Sequence, residues 1–131
     1  MNILEELKQI LAEMLDINTD DISAETYLIR ELGAESIDLL ELALDIGSRF
    51  DIKVNENSLF LKRFGFYVGE VKQQKKDSVP YLKEKFPFLT KNRLTEILQD
   101  LEGITPPIKI KDLVSYIEWV LKSTSQPTRA N

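Results

Sequence analysis

Apolar residues spaced three and four positions apart constrain this chain more than any other feature of its sequence. Such a stripe runs through residues 2–15, and the same spacing returns after residue 36, over residues 90–101 and after Lys111. This spacing matches the turn of an α-helix, whereas the apolar-polar alternation of a half-buried strand is scarce. The sequence therefore predicts an all-α protein.

Composition excludes several kinds of chemistry. The chain has 131 residues, the length of one domain that buries a modest core, and it contains neither cysteine nor histidine. Disulfides, thiolate nucleophiles, histidine-based triads and the usual zinc sites are therefore excluded. We therefore expect no metal ligands.

Charge and hydropathy bear on location and partners. The first helical segment is acidic and does not resemble a signal peptide, and no apolar run approaches the ~20 residues that cross a bilayer. We expect a cytoplasmic protein without a transmembrane segment.

Residues 1–54 carry 13 acids against 4 bases, although the net charge of the whole chain is only −5. This asymmetry argues against nucleic acid and favours partners with basic patches, unless the acids serve only solubility.

The first half of the chain predicts two helices joined by a long loop. Asn2 is suited to cap a helix over residues 2–15, and a second helix is predicted from Ser36 to Phe50. The loop over residues 16–35 is expected to reach the core through four anchors, which are Ile17, Ile22, Tyr27 and Leu28.

The second half is harder to assign. Residues 59–71 are densely apolar, and we expect a short helix near 58–64 and a second element to about 73. An exposed turn is expected over 72–77, followed by a short helix within 79–87 and a helix capped by Thr90. The last helix should begin at about Lys111, with Tyr116 and Trp119 at its margins. We expect a disordered tail over 123–131.

The segment Leu32-Gly33-Ala34-Glu35-Ser36-Ile37-Asp38 carries the main functional signal. It places the hydroxyl of Ser36 at the start of a helix, after a glycine suited to a backbone angle that other residues avoid. An anion attached there would lie beside the positive end of the helix. A serine in this position is also a common N-cap, so the hydroxyl alone does not decide between the two roles.

This segment resembles the prosthetic-group attachment site of acyl carrier proteins. The family's Asp-Ser-Leu triplet is Glu35-Ser36-Ile37 here, while Asp38, Glu41 and Leu42 follow the family pattern. Residues 50–54 match the end of the family's second helix. The resemblance covers residues 1–54 and about 103–122, which implies a four-helix bundle enlarged by extra helices from an insertion at 55–102. We expect one domain over residues 1–122.

The resemblance implies that Ser36 carries 4′-phosphopantetheine derived from coenzyme A and holds acyl groups as thioesters. It also implies a carrier without catalytic residues and without enzymatic activity. It further implies a phosphopantetheinyl transferase and acyl ligases, synthases or acyltransferases with basic docking patches as partners. Two sets of residues follow from it. The partner-docking acids would be Glu35, Asp38, Glu41 and Asp45, and the interior that lines an acyl pocket would be Leu39, Leu40, Ala43, Leu44 and Ile46.

Two departures from the family leave alternatives open. The end of the second helix is usually acidic in the family, but here it contains Gly47, Ser48 and Arg49. In addition, residues 55–102 replace a short connection. These departures favour a specialised lipid-pathway carrier over a housekeeping one. An aminoacyl or peptidyl carrier and an unmodified interaction module remain alternatives. Lysines at 72, 75 and 76 fit either a solvated turn or contact with a membrane or an acidic partner.

Overall fold

The structure is a computed structural model that describes residues 2–103 and 105–124. Within these ranges the regular elements are helices, accompanied by two isolated β-bridges, so the predicted all-α class is confirmed. The helices are α1 (Ile3–Leu15), α2 (Ser36–Phe50), α3 (Glu56–Leu59), α4 (Phe64–Gln74), α5 (Ser78–Lys85), α6 (Lys91–Gln99) and α7 (Ile110–Thr124), with a 3₁₀ turn at Thr19–Asp21.

Helix α1 is the centre of the bundle and packs on both α2 and α7. It begins as predicted, because the Asn2 side chain accepts a hydrogen bond of 3.1 Å from the backbone N–H of Glu5. Its buried face consists of Leu7, Ile10 and Leu11. The same helical spacing that predicted the element therefore also places it in the core.

The loop between α1 and α2 is tied to the beginning of α7. The Leu28 N–H donates to the Ile108 carbonyl, and the Ile110 N–H donates to the Thr26 carbonyl, both at 2.9 Å. Of the predicted anchors, Ile22 and Leu28 are fully buried, whereas Ile17 and Tyr27 are half-buried. The loop is therefore a packed part of the fold.

A carboxylate adds to this attachment. Glu25 accepts hydrogen bonds from the ammonium groups of Lys109 and Lys111 at 2.8 and 2.9 Å. These two cations lower the pKa of Glu25 to about 2. The carboxylate therefore stays ionised, and keeps its charge on both contacts with α7, until the solution is strongly acidic.

The insertion builds helices that share one hydrophobic core with the rest of the chain. Phe64 and Phe86 stack with their ring centroids 5.5 Å apart. Most apolar residues of this segment form the interior of the extra helices. The short helix predicted near 58–64 ends at Leu59, because the buried Leu61 takes the left-handed φ of +52° that interrupts it.

Helix α7 differs from the prediction at its margins. Tyr116 is buried against Phe88, with ring centroids 5.2 Å apart, and its hydroxyl accepts from the Asn55 N–H at 2.9 Å. Its predicted marginal position is wrong, because the insertion covers this face of α7, whereas Trp119 is partly exposed as predicted. The helix continues to Thr124, and residues 125–131 of the predicted disordered tail lie outside the described residues.

A buried ion pair joins α6 to α7. The Arg93 guanidinium donates through Nε and Nη2 to the two Asp112 carboxylate oxygens, each at 2.8 Å. It also donates to the Pro107 carbonyl at 2.9 Å, and the Lys109 N–H donates to Asp112 at the same distance. Burial by itself lowers the pKa of Arg93, but its bonds to Asp112 outweigh that effect and raise it above its usual value.

Candidate functional site

Ser36 is the first residue of α2 and is exposed. The residue before it is the N-cap, since Glu35 has extended backbone angles and its N–H donates to the Asp38 carboxylate at 2.8 Å. Within the described part of the chain, the Ser36 hydroxyl makes no hydrogen bond. The hydroxyl therefore does not act as a helix cap and is open to a modifying enzyme.

A tight turn brings the chain into this helix. The Gly33 N–H donates to the Ile29 carbonyl at 3.0 Å, and Gly33 has the positive φ of +70° that the sequence predicts. The Ala34 side chain that follows is buried. The turn therefore holds the backbone in place two residues before Ser36.

The insertion supports the loop that contains this turn. Asp100, which follows α6, accepts from the Tyr27 hydroxyl at 2.5 Å and from Arg30 Nη1 at 2.8 Å, and its carbonyl accepts from Arg30 Nη2 at 2.7 Å. The hydrogen bonds from Tyr27 and Arg30 lower the pKa of Asp100, and the same contact raises the pKa of Tyr27. Sequence analysis did not identify this contact.

The four predicted docking acids lie at the beginning of α2 and along its surface. Glu35 and Glu41 are exposed, and Asp38 and Asp45 are half-buried. In the described ranges none of the four forms an ion pair, although Asp38 accepts the capping hydrogen bond of Glu35. Three exposed apolar side chains share this surface, namely Ile37, Leu40 and Leu44. The surface combines negative charge with apolar contacts.

The interior position predicted for five apolar residues of α2 is confirmed only in part. Ala43 and Ile46 are buried and Leu39 packs against the core, but Leu40 is 51% exposed and Leu44 is 66% exposed. Both had been assigned to the interior. The assignment is wrong because the buried face of α2 passes through Leu42, which is fully buried, and residues two positions away lie on the other side of a helix.

A surface groove runs beside α2 where its buried and exposed faces meet. The groove has a volume of about 330 Å³. Gly47 keeps it open, because a Cβ at this position would lie 3.3 Å from the Ile52 carbonyl oxygen and 3.7 Å from Val54. Leu44 therefore borders a groove and not the interior. The lining residues are Ala43, Leu44, Gly47, Ser48, Ile52, Val54 and Glu56.

Comparison with known proteins agrees with this arrangement. A family model described as a phosphopantetheine attachment site matches residues 5–62. The acyl carrier protein of Thermotoga maritima is 37% identical over 57 residues, which is 44% of this chain and 70% of that protein. The acyl carrier protein of Wolinella succinogenes is 30% identical over 54 residues, 41% of this chain and 71% of the relative. No solved structure matches significantly.

These findings define a carrier domain with a covalently attached 4′-phosphopantetheine. The chain belongs to the acyl carrier protein family. Membership implies interaction with phosphopantetheinyl transferases and acyl-handling enzymes. In residues 2–103 and 105–124, no helix has the length and hydropathy needed to cross a membrane.

Proposed function

We propose that Ser36 carries the phosphopantetheine arm and that this chain holds acyl groups as thioesters for enzymes of a lipid pathway. The observation that carries the proposal is the exposed Ser36 hydroxyl at the start of α2, left free because Glu35 and Asp38 cap the helix. The phosphate of the arm would lie beside the positive end of the helix dipole.

The proposed attachment is a substitution at phosphorus. Ser36 Oγ forms a bond to the phosphate next to the pantetheine of coenzyme A, the pyrophosphate P–O bond breaks, and adenosine 3′,5′-bisphosphate leaves. The proton of the hydroxyl passes to the transferase, since this chain has no histidine to accept it. The arm then supplies the thiol that a chain without cysteine lacks. The chain itself catalyses no step of this reaction.

Attachment is tested by incubating the apo protein with coenzyme A and a broad-specificity phosphopantetheinyl transferase. We expect a mass gain of one phosphopantetheinyl group in the wild type and in Ser48→Ala, whose serine is also exposed on α2. We expect no gain in Ser36→Ala. An unmodified wild type would favour the unmodified interaction module, and a gain that persists in Ser36→Ala would move the site elsewhere.

The groove beside α2 favours an acyl cargo over an aminoacyl or peptidyl one. Its lining includes the apolar side chains of Leu44, Ile52 and Val54, and its volume of about 330 Å³ falls in the range of small-ligand sites. We propose that the groove shelters part of the acyl chain. The inserted helices, which replace the family's short connection, support a specialised role for the carrier.

Sheltering is tested by comparing the melting temperatures of the protein with a free arm and with an octanoyl arm. Because a ligand that binds only the native state stabilises it, we expect the acylated form to melt a few degrees higher. Leu44→Ser should reduce this increase, while Leu40→Ser, on the same helix outside the groove, should retain it. Equal melting temperatures in the wild type would contradict sheltering.

A further inference from the structure

The inserted helices carry an exposed basic patch that the carrier function does not use. The segment 62–85 contains seven bases and three acids, in contrast to the acidic first half of the chain. Phe66 on α4 is 54% exposed beside these bases. We define the basic patch as Lys62, Arg63, Phe66, Lys72, Lys75, Lys76 and Lys85.

Among the described residues, most bases of the patch form no ion pair with an acid. Six basic residues outside it form ion pairs with acids, and these are Lys8, Arg30, Arg49, Arg93, Lys109 and Lys111. Among the described residues, the only ion pair of the patch joins Lys62 to Glu56 at 3.7 Å. The remaining charges of the patch therefore have no carboxylate partner within residues 2–103 and 105–124.

Aromatic rings support several of these cations. The Arg63 guanidinium carbon lies 4.5 Å from the Phe66 ring centroid, and Lys76 Nζ lies 4.7 Å from that of Tyr81. Lys85 Nζ lies 5.2 Å from the ring centroid of Tyr67. A ring attracts a cation without cancelling its charge, so these contacts hold the cations while leaving them positive.

The acids of the segment do not neutralise the patch. Glu70 accepts a hydrogen bond of 2.6 Å from the Tyr81 hydroxyl, which raises the pKa of Tyr81 to about 12. Asp77 and Glu84 line a small pocket together with Tyr81 and with Lys76 of the patch, but among the described residues neither acid forms an ion pair.

The outward face of α4 is unobstructed. Helical spacing places Phe66, Gly69 and Gln73 along one outward line, and a Cβ built at Gly69 would meet nothing within 4 Å. The structure therefore presents one exposed aromatic side chain on an open helix face, with the Arg63 guanidinium next to it.

We propose that this patch docks the protein on membranes that contain anionic phospholipid, with α4 along the surface and Phe66 among the headgroups. Clusters of four to eight basic residues on a helix surface are attracted to anionic lipid, and aromatic rings settle at the membrane interface. Salt screens charges that lie more than about 8–10 Å away, so acids beyond that distance from the patch oppose docking only weakly. Docking is independent of the arm on Ser36.

The composition of the patch favours a lipid surface over an acidic protein. Five of its six cations are lysines, which are depleted at protein interfaces, whereas arginine provides the fixed two-pronged contacts that protein carboxylates favour. The 11-residue helix α4 is only about 16 Å long, which offers a protein partner a short contact surface. Mobile lysines suit a fluid surface whose charges have no fixed positions.

Vesicle flotation with the full-length apo protein tests the proposal. We expect binding to vesicles of phosphatidylcholine mixed with phosphatidylglycerol, no binding to phosphatidylcholine alone, and release when salt is raised to about 0.5 M. Lys72→Glu/Lys76→Glu should weaken binding at least about tenfold, because each charge near the surface contributes about 1 kcal/mol. The control variant Lys53→Glu/Lys91→Glu makes the same charge change outside the patch. It should bind the vesicles more tightly than Lys72→Glu/Lys76→Glu does.

Phe66→Ser should weaken binding while its salt dependence remains, and an unchanged affinity would overturn the insertion of Phe66. Circular dichroism confirms that each variant is folded. Ser36→Ala should bind as the wild type does, which separates this test from that of the attachment site. The proposal would be overturned if the wild type failed to bind vesicles that contain phosphatidylglycerol. It would also be overturned if the two double lysine variants lost the same amount of vesicle binding. Retention on polyglutamate resin without vesicle binding would instead identify an acidic polypeptide as the partner.

Discussion

Asp112→Ala is expected to lower the free energy of unfolding by about 3–5 kcal/mol, because it leaves a buried guanidinium without its carboxylate. The side chains of Arg93 and Asp112 are 7% and 1% exposed, and two hydrogen bonds of 2.8 Å join them. The substitution also removes a hydrogen bond at the start of α7, because the backbone N–H of Lys109 donates to the same carboxylate. Urea denaturation followed by circular dichroism measures the change.

An exposed ion pair provides the matched control. Arg49 and Glu6 lie 2.7 Å apart, but their side chains are 37% and 34% exposed. Glu6→Ala should therefore cost only about 0–1 kcal/mol. Replacing both buried partners, in Arg93→Met/Asp112→Leu, should restore much of the loss because no buried charge remains. If Asp112→Ala costs no more than Glu6→Ala, the buried pair does not stabilise the α6–α7 contact as we argue.

Phe64→Ala is expected to cost about 3–5 kcal/mol, since it opens a cavity where α4 meets α5. Phe64 is fully buried and stacks on Phe86. Because the insertion shares its core with α1, α2 and α7, we propose that residues 1–122 unfold as one domain. Trp119 on α7 packs against Phe88 of the insertion, with ring centroids 6.0 Å apart, and its fluorescence therefore reports on that junction.

The measurement compares urea transitions followed by Trp119 fluorescence and by helical circular dichroism. In a single domain both transitions coincide, and Phe64→Ala moves them together. Phe66→Ala, which shortens an exposed phenylalanine of the same helix, should change stability by less than about 1 kcal/mol. Two separated transitions, with only one of them shifted by Phe64→Ala, would show that the insertion folds separately.

The local features of the fold were predictable from the sequence. Helices α1 and α2 were predicted within one residue of their bounds, because their apolar spacing is regular and Asn2 marks the first start. The positive φ of Gly33 and the helix cap at Thr90 were likewise predicted from the residue types at these positions. Each of these features depends on residues three or four positions apart in the chain.

Features that depend on tertiary contacts were not predictable. The first half of α2 is rich in leucine, so periodicity alone did not show that Leu42 is buried while Leu40 and Leu44 are exposed. The contacts of Asp100 with Tyr27 and Arg30 join residues 70 or more positions apart, and no local pattern indicates them. Leu61 gave no signal of its left-handed conformation, because leucine rarely adopts one.

The capping of α2 has a consequence for the life cycle of the carrier. Glu35 and Asp38 close the start of the helix without the neighbouring hydroxyl, so we expect the first turn to keep its hydrogen bonds after the proposed esterification of Ser36. A bulky substituent at that oxygen would displace no hydrogen bond of the described residues. We therefore expect such a protein to exchange its apo and holo forms repeatedly without refolding.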